Sequence, residues 1–351
     1  MLTRRTVLGL SAALAMMSAA CGSSDGVSEP SATSATTTTI VRSTSPATSS
    51  PANTTAPQTS GDEPPTTTTT PPPYPRTVTD VDGDVEIPSR PERIIATGSQ
   101  VDLDSLLVLD IAPVAAGTFF GEPPSWVGDA LDGAVLFDVN DTNLEQVAGL
   151  APDLIIGPAD VLEPLADPLR QIAPTLLIDT AAPWRENLDL IARATGREER
   201  AAAFLATLDD TVDEALIDNE LYRDLEVSGV TVGPDGGVLV LAGRSALGEA
   251  LRLVGVPRVA GQDADAEFIP VSEELLGELD GDVIVVWHSP FLEAQWQDLS
   301  ASPVWQSLPA VAEGRVVVTT DAQWFFATPE SVRLAVAGVA DLLATALDDA
   351  S

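Results

Sequence analysis

The chain has 351 residues, with 53 Asp or Glu against 17 Arg and no Lys, for a formal net charge of −36. No basic stripe exists to neutralise phosphates or to meet anionic lipid, which excludes nucleic-acid binding and charge-driven membrane contact. The absence of Lys excludes Schiff-base and P-loop chemistry, the single His288 excludes a multi-histidine metal site, and the single Cys21 excludes an internal disulfide.

Residues 1–20 read as an export signal. Arg4-Arg5 supply the positive region, Val7 to Met17 the apolar core and Ser18-Ala19-Ala20-Cys21 a small-residue cleavage site. The apolar stretch is too short to span a bilayer. A sole cysteine in this place resembles a bacterial lipobox, which implies lipidation at Cys21 and anchorage to the outer face of the cell membrane. Thr3 to Leu8 also resembles a twin-arginine signal, so both export routes stay open. Residues 21–75 are dominated by Ser, Thr and Pro, including Thr66 to Thr70 and Pro71 to Pro73. Such a segment buries too little apolar surface to offset chain entropy and is expected to be a disordered tether, of a composition open to O-glycosylation.

The remaining chain reads as α/β. Val78 to Ile87 alternates around Asp82-Gly83-Asp84 as a hairpin, and Ile94-Ile95-Ala96 is the first core strand. A helix over about 102–109, strands at 114–117, 154–156 and 175–178, and a helix over 162–172 follow. This alternation predicts a parallel sheet with covering helices, a first lobe at 76–183. Residues 184–224 read as connecting helices, broken at Thr195-Gly196. Apolar positions Ala202, Leu205, Leu208, Val212 and Leu216 give the second one helical spacing. A second lobe, 225–351, opens with strands flanking the turn Pro234-Asp235-Gly236-Gly237, has further strands at 283–287 and 316–319, and closes with a helix from Pro329 to Leu347.

Residues 136–157 are echoed by residues 268–286. Asn143-Leu144-Glu145-Gln146-Val147 leads through Asp153 into Leu154-Ile155-Ile156; Ser272-Glu273-Glu274-Leu275-Leu276 leads through Asp282 into Val283-Ile284-Val285. Each copy reads as a short acidic helix, a turn with a fixed Asp and a buried strand. One recurrence suggests two similar lobes with a cleft between them, the long helix being their single rigid connection.

Loops beyond strand ends are where such a fold puts its ligand. Three of them concentrate the chain's scarce aromatics: Phe119, Phe120 and Trp126; Trp287 with His288; and Trp324 with Phe325 and Phe326. Either they cover the core or they face an apolar or ring-containing ligand. Arg244, between Gly243 and Ser245, offers a clamp for an oxyanion, or else a surface ion pair. His288 has the readings of cleft hydrogen-bonder, haem axial ligand, buried residue or hydrolase base; the last lacks a G-x-S-x-G serine. Glu145 and Glu274 begin equivalent helices, where a carboxylate favours the dipole by about 0.3–1 kcal/mol. Their duplication also provides one acidic knob per lobe for a two-fold symmetric partner.

Three segments carry a family resemblance: Pro88-Ser89-Arg90-Pro91-Glu92-Arg93-Ile94-Ile95, the run Asn143 to Ile156, and Leu190-Ile191-Ala192-Arg193-Ala194-Thr195-Gly196; the ending from Trp324 to Leu347 also fits. With these the chain resembles the class III (cluster A) substrate-binding proteins of ABC importers, which capture ferric siderophores, cobalamin and haem. The resemblance covers about 78–347. It implies two Rossmann-like lobes bridged by a single long α-helix, little hinge motion, no catalysis and no cofactor. Trp126, Arg244, Trp287 and Trp324 match cleft-facing positions, and Glu145 and Glu274 match the glutamates that dock on the permease, Glu273 being the neighbouring alternative. The expectation is a monomeric, lipid-anchored, extracytoplasmic receptor that delivers a ferric siderophore, its metal already chelated, to an ABC permease. Cobalamin or haem is the alternative ligand; an envelope hydrolase or a structural envelope protein is the alternative class.

Overall fold

A computed structural model describes residues 73–98, 100–118 and 123–348, with the backbone alone at 273 and 274. The expected signal, Cys21, nearly all of the tether, Phe119 and Phe120 lie outside the described residues. The described chain opens with an antiparallel hairpin, β1 (Arg76–Asp80) and β2 (Gly83–Ile87), in register at Val78 and Val85. Asp80 closes the turn by accepting from the Asp82 and Gly83 amides at 2.8 and 3.0 Å, and its other oxygen accepts from the Leu177 amide at 2.8 Å. One carboxylate thus shapes the hairpin and pins it to the sheet behind it.

That sheet holds β3 (Ile94–Ala96), β4 (Ala115–Thr118), β5 (Val135–Asp138), β6 (Leu154–Pro158) and β7 (Thr175–Ile178) in the order β5-β4-β3-β6-β7, all parallel. Helices α1 (Val101–Val108), α2 (Leu144–Gly149), α3 (Ala159–Leu162) and α4 (Ala166–Arg170) connect its strands. The central strands are buried on both faces, which is why they read as unbroken apolar runs. Helix α5 (Trp184–Thr195) ends at Gly196, whose φ of 69° is a left-handed cap that suits glycine. Helix α6 (Glu198–Asp218) then spans 21 residues, about 32 Å at 1.5 Å each, and bridges to the second lobe.

The second lobe comprises β8 (Val227–Val232), β9 (Val238–Leu241), α7 (Ala246–Val254), β10 (Phe268–Val271), β11 (Val283–Trp287), α8 (Glu293–Ser300), α9 (Pro303–Gln306), α10 (Pro309–Ala312), β12 (Val316–Thr319) and α11 (Pro329–Asp348). Its order is β10-β9-β8-β11-β12. Strands β8, β11 and β12 are parallel, β9 runs antiparallel between β8 and β10, and β10 therefore points the same way as β8. The fold is α/β, with two Rossmann-like lobes bridged by one long helix. A single apolar cluster continues from one face of the first sheet (Ile94, Leu154, Leu176) to one face of the second (Val283, Val285, Val317). Helices α5 and α6 (Leu188, Leu208), α7 (Leu251) and α11 (Val336, Leu343) fill it.

The duplication has a physical basis. Asp153 accepts from the Glu92 and Arg93 amides, both at 2.8 Å, while its own amide donates to the Arg93 carbonyl. Asp282 accepts from the Glu226 amide at 2.9 Å, and its amide donates to the Glu226 carbonyl. In each lobe the aspartate therefore staples the start of the central strand to its parallel neighbour, Leu154 beside Ile94 and Val283 beside Val227. Two expectations need correction. The helix expected over 162–172 is divided into α3, a 3-10 turn at Glu163–Leu165 and α4, the break falling at Pro164, which lacks an amide donor. The acidic helix of the second copy is a 3-10 turn, Glu273–Leu279, rather than an α-helix.

Candidate functional site

The lobes meet where the loop before α7 faces the loop after β7. Ser245 caps α7, its hydroxyl accepting from the Gly248 amide at 3.0 Å and donating to the Ala242 carbonyl at 2.8 Å. The Arg244 amide donates to the Ala266 carbonyl at 2.8 Å. With its backbone held, Arg244 sends its guanidinium across the junction to donate to the Ala181 carbonyl of the first lobe, while Asp265 lies 3.3 Å from Nε. Glu267 stands half-buried beside it. Burial pushes the Glu267 carboxyl up to about 8, against the lowering field of Arg244. Across the junction Asp179 accepts from the Ala181 amide at 2.8 Å, and its charge, after burial, helps to raise the pKa of Asp160.

An aromatic wall adjoins this arginine. Trp287 and Phe325 stack with centroids 3.8 Å apart and planes 18° apart. Phe268 lies 4.8 Å from Phe325, and Phe326 packs edge-on against both. The wall is joined to the arginine loop by main chain, the Ala246 amide donating to the Phe325 carbonyl at 2.9 Å and Ser245 bridging Phe326. Trp287 and Phe325 are buried, Phe268 and Phe326 half-buried, so the latter two present the accessible ring surface. The buried Trp287 indole N–H has no acceptor among the described residues. Trp324 lies deeper. Its ring packs on α11 at Gly338, where an added Cβ would sit 3.3 Å from the indole. Its contribution is to seat the wall on the closing helix.

Trp126 belongs to the first lobe, in a 3-10 segment at Ser125–Leu131. Its indole donates at 3.1 Å to Asp104 of α1, whose other oxygen accepts from the Glu330 amide at the start of α11 at 2.7 Å. Asp104 thus ties the Trp126 loop to the helix that follows the aromatic wall. Burial pushes its carboxyl up to about 6 despite the donors around it. Asp102, on the same helix, accepts from the Gly98 amide at 2.6 Å and is likewise raised to about 6 by burial.

Of the readings open to His288, the structure fits that of a buried residue. Side chains alternate along a strand, so Trp287 and His288 leave β11 on opposite faces. The imidazole stacks on Trp296 at 6.0 Å, with Glu293 at 3.6 Å, among the helices of the far layer. It does not join the aromatic wall. Phe268 joins the wall without having been read from the sequence, since β10 is a partly exposed edge strand with no alternating pattern. Glu145 is exposed on the first turn of α2, whose cap is the Asn143 side chain accepting from the Gln146 amide at 3.0 Å. Glu274 lies in the equivalent 3-10 turn of the second lobe. Among the described residues no group of three His, Cys, Asp or Glu side chains gathers as a metal site would require.

The chain's relatives agree with this architecture. It is 28% identical over 270 residues to the probable siderophore-binding lipoprotein YfiY of Bacillus subtilis, covering 68% of this chain and 78% of that protein. It superposes on Staphylococcus aureus SirA complexed with staphyloferrin B at a TM-score of 0.66, with 22% identity, over 78% of this chain and 98% of SirA. With the triscatecholate siderophore binding protein FeuA of Bacillus subtilis, complexed with ferri-bacillibactin, the TM-score is 0.64 and the identity 22%, over 77% and 98% of the two chains. At such identities these structures establish likeness of fold. Residues 95–322 match the periplasmic binding protein family, and with two Rossmann-like lobes meeting at an arginine and an aromatic wall the chain belongs to that family.

Proposed function

We propose that this protein captures a ferric siderophore between its lobes and delivers it to the permease of an ABC importer. The observation that carries the reading is the lobe junction itself. A rigid loop aims Arg244 across it, beside ring surface from Phe268 and Phe326. Kinship to a probable siderophore-binding lipoprotein supports iron chelates as the ligand class. In this reading the aromatic surface packs the apolar parts of the chelate and Arg244 meets its oxygens. Phe119 and Phe120, outside the described residues, and Trp126 are proposed as further ligand contacts, and Trp287, Phe325 and Trp324 support the wall from behind. Haem is the weaker reading, because His288 stacks on Trp296 in the far layer and offers no axial nitrogen to the junction. Titration of tryptophan emission against ferric siderophores, cobalamin and haem decides the matter. Saturable quenching by ferric siderophores is expected; saturation by haem or cobalamin alone refutes the assignment.

Lipidation of Cys21, with residues 21–75 as the tether, would hold the receptor at the outer face of the membrane. Cys21→Ala should then shift the protein from the membrane fraction into the medium, and retention in the membrane would exclude a lipid anchor. Glu145 and Glu274 are the residues proposed to meet the permease, one from each lobe, with the receptor acting as a monomer.

A further inference from the structure

The aromatic wall has polar atoms behind it. Trp287 of β11 is the register partner of Thr231 in β8 on one side and of Thr319 in β12 on the other. Register partners in parallel strands leave the sheet on the same face. Here it is the face of Val285 and Val317, since Val230, Val232 and Val286 belong to the cluster on the opposite side. The three side chains make a row at the carboxyl end of the second sheet, the end where such folds seat ligands. Thr231 is 1% exposed and Trp287 8%. Neither the Thr231 hydroxyl nor the Trp287 indole N–H has a hydrogen-bond partner among the described residues. Thr97 and Trp184 also carry unmet buried groups, but among the described residues no other two lie side by side on paired strands. Half-buried Thr319 carries the row outward; its hydroxyl accepts from the Asp321 amide at 3.1 Å and keeps its own proton to donate. The first lobe has no such row. Four residues on from Ile94 and Leu154, as Thr231 and Trp287 are from Val227 and Val283, stand Gly98 and Pro158, without side-chain donors.

We infer that this row is an inner ligand subsite, in which Trp287 and Thr231 donate to a neutral carbonyl oxygen of the chelate, an amide or hydroxamate, once the Phe325 ring turns off the face of Trp287. This deepens the proposed function and rests on it. Two unmet groups in one place cost the unliganded protein stability, and a ligand oxygen between them recovers it. The donors are uncharged, so an ionised oxygen set against them has no cation to offset its lost hydration; charged oxygens of the chelate are left to Arg244. The Phe325 carbonyl is held by the Ala246 amide at 2.9 Å, so its ring turns about the side-chain bonds while the loop stays in place.

The test removes the polar atoms and keeps the shapes. Thr231→Val and Trp287→Phe are made in the full chain, and binding of ferrioxamine B is followed by equilibrium dialysis of iron. Each variant should bind about tenfold more weakly than the wild type, the loss of one hydrogen bond to the ligand. In urea unfolding without ligand, Thr231→Val should be at least as stable as the wild type, because an unmet hydroxyl has been taken away. Wild-type affinity in either variant overturns the inference. So does a loss of stability in Thr231→Val, whatever its affinity, which marks a structural water bridging the two groups. Both results leave the siderophore reading intact, since the wild type binds in the same assay. Failure of the wild type to bind ferrioxamine B or any other ferric chelate removes that reading and the inference with it.

Discussion

Asp104 shows how one side chain links chemistry to architecture. It is fully buried, accepts from the Trp126 indole at 3.1 Å and from the Glu330 amide at 2.7 Å, and so connects α1, the Trp126 loop and α11. The charged groups facing it are Glu330 and Arg333 on α11, which pair with each other at 2.5 Å. Because burial lifts its folded value from 3.8 to about 6, the folded state holds the proton more tightly than the unfolded state. Stability should therefore rise as pH falls from about 6 to 4 and decline again as pH rises through that window. The span is up to about 3 kcal/mol for a shift of this size. Asp104→Asn keeps an acceptor for Trp126 and removes the titration. Urea unfolding between pH 4 and 7 should show a shallower pH slope in the variant than in the wild type; identical slopes would place the proton elsewhere. The role of Asp104 was hidden in the sequence, where it reads as an ordinary acidic residue near a helix start. Asp153 and Asp282 were legible, because duplication at a fixed offset marks a position before the staple itself is seen.

At the level of elements, legibility followed burial and periodicity. Strands β3, β6, β7, β11 and β12 are short apolar runs, and α5, α6 and α11 carry helical spacing, so all were readable. The edge strands β5 and β10 alternate weakly and are half exposed, and they carried no signal. The site was harder to read because it depends on which face a residue leaves a strand. Trp287 and His288 are neighbours in sequence, yet one joins the wall with Phe325 and the other stacks on Trp296. Aromatic clustering singled out the segments holding Trp287 and Trp324 to Phe326 without distinguishing rings that are accessible, such as Phe326, from one that underpins them, Trp324. The paired acidic turns give a prediction at this level. Glu145, exposed at the start of α2, and Glu274, in the matching 3-10 turn, should together be needed for import and dispensable for capture. A Glu145→Ala, Glu274→Ala double variant should lose most cellular iron uptake and keep its chelate affinity. Unchanged uptake, or a fall in affinity, would contradict docking by these residues.

Across the whole molecule, the apolar cluster is continuous from sheet to sheet through α5, α6, α7 and α11, and Arg244 and Asp104 add polar ties across it. Such a body favours a preformed cleft over a wide hinge. Two-lobed organisation was legible from the echo of residues 136–157 in 268–286, since each copy rebuilds the same strand pairing beside a central strand. The charge character of the junction was legible only in outline. Composition gave an acidic chain without lysine, and the fold was needed to show that Arg185 and Arg258 are consumed in packing while Arg244 faces the other lobe. The central claim is that a ferric chelate rests at this junction, against Arg244, Phe268 and Phe326. An iron anomalous difference map from crystals of the protein with ferrioxamine B tests it most directly. A single strong peak between the 243–246 and 179–182 loops, beside the Phe268 and Phe326 rings, is the predicted result; iron bound instead on the far face near His288, or no iron at the junction in crystals holding it elsewhere, would contradict it.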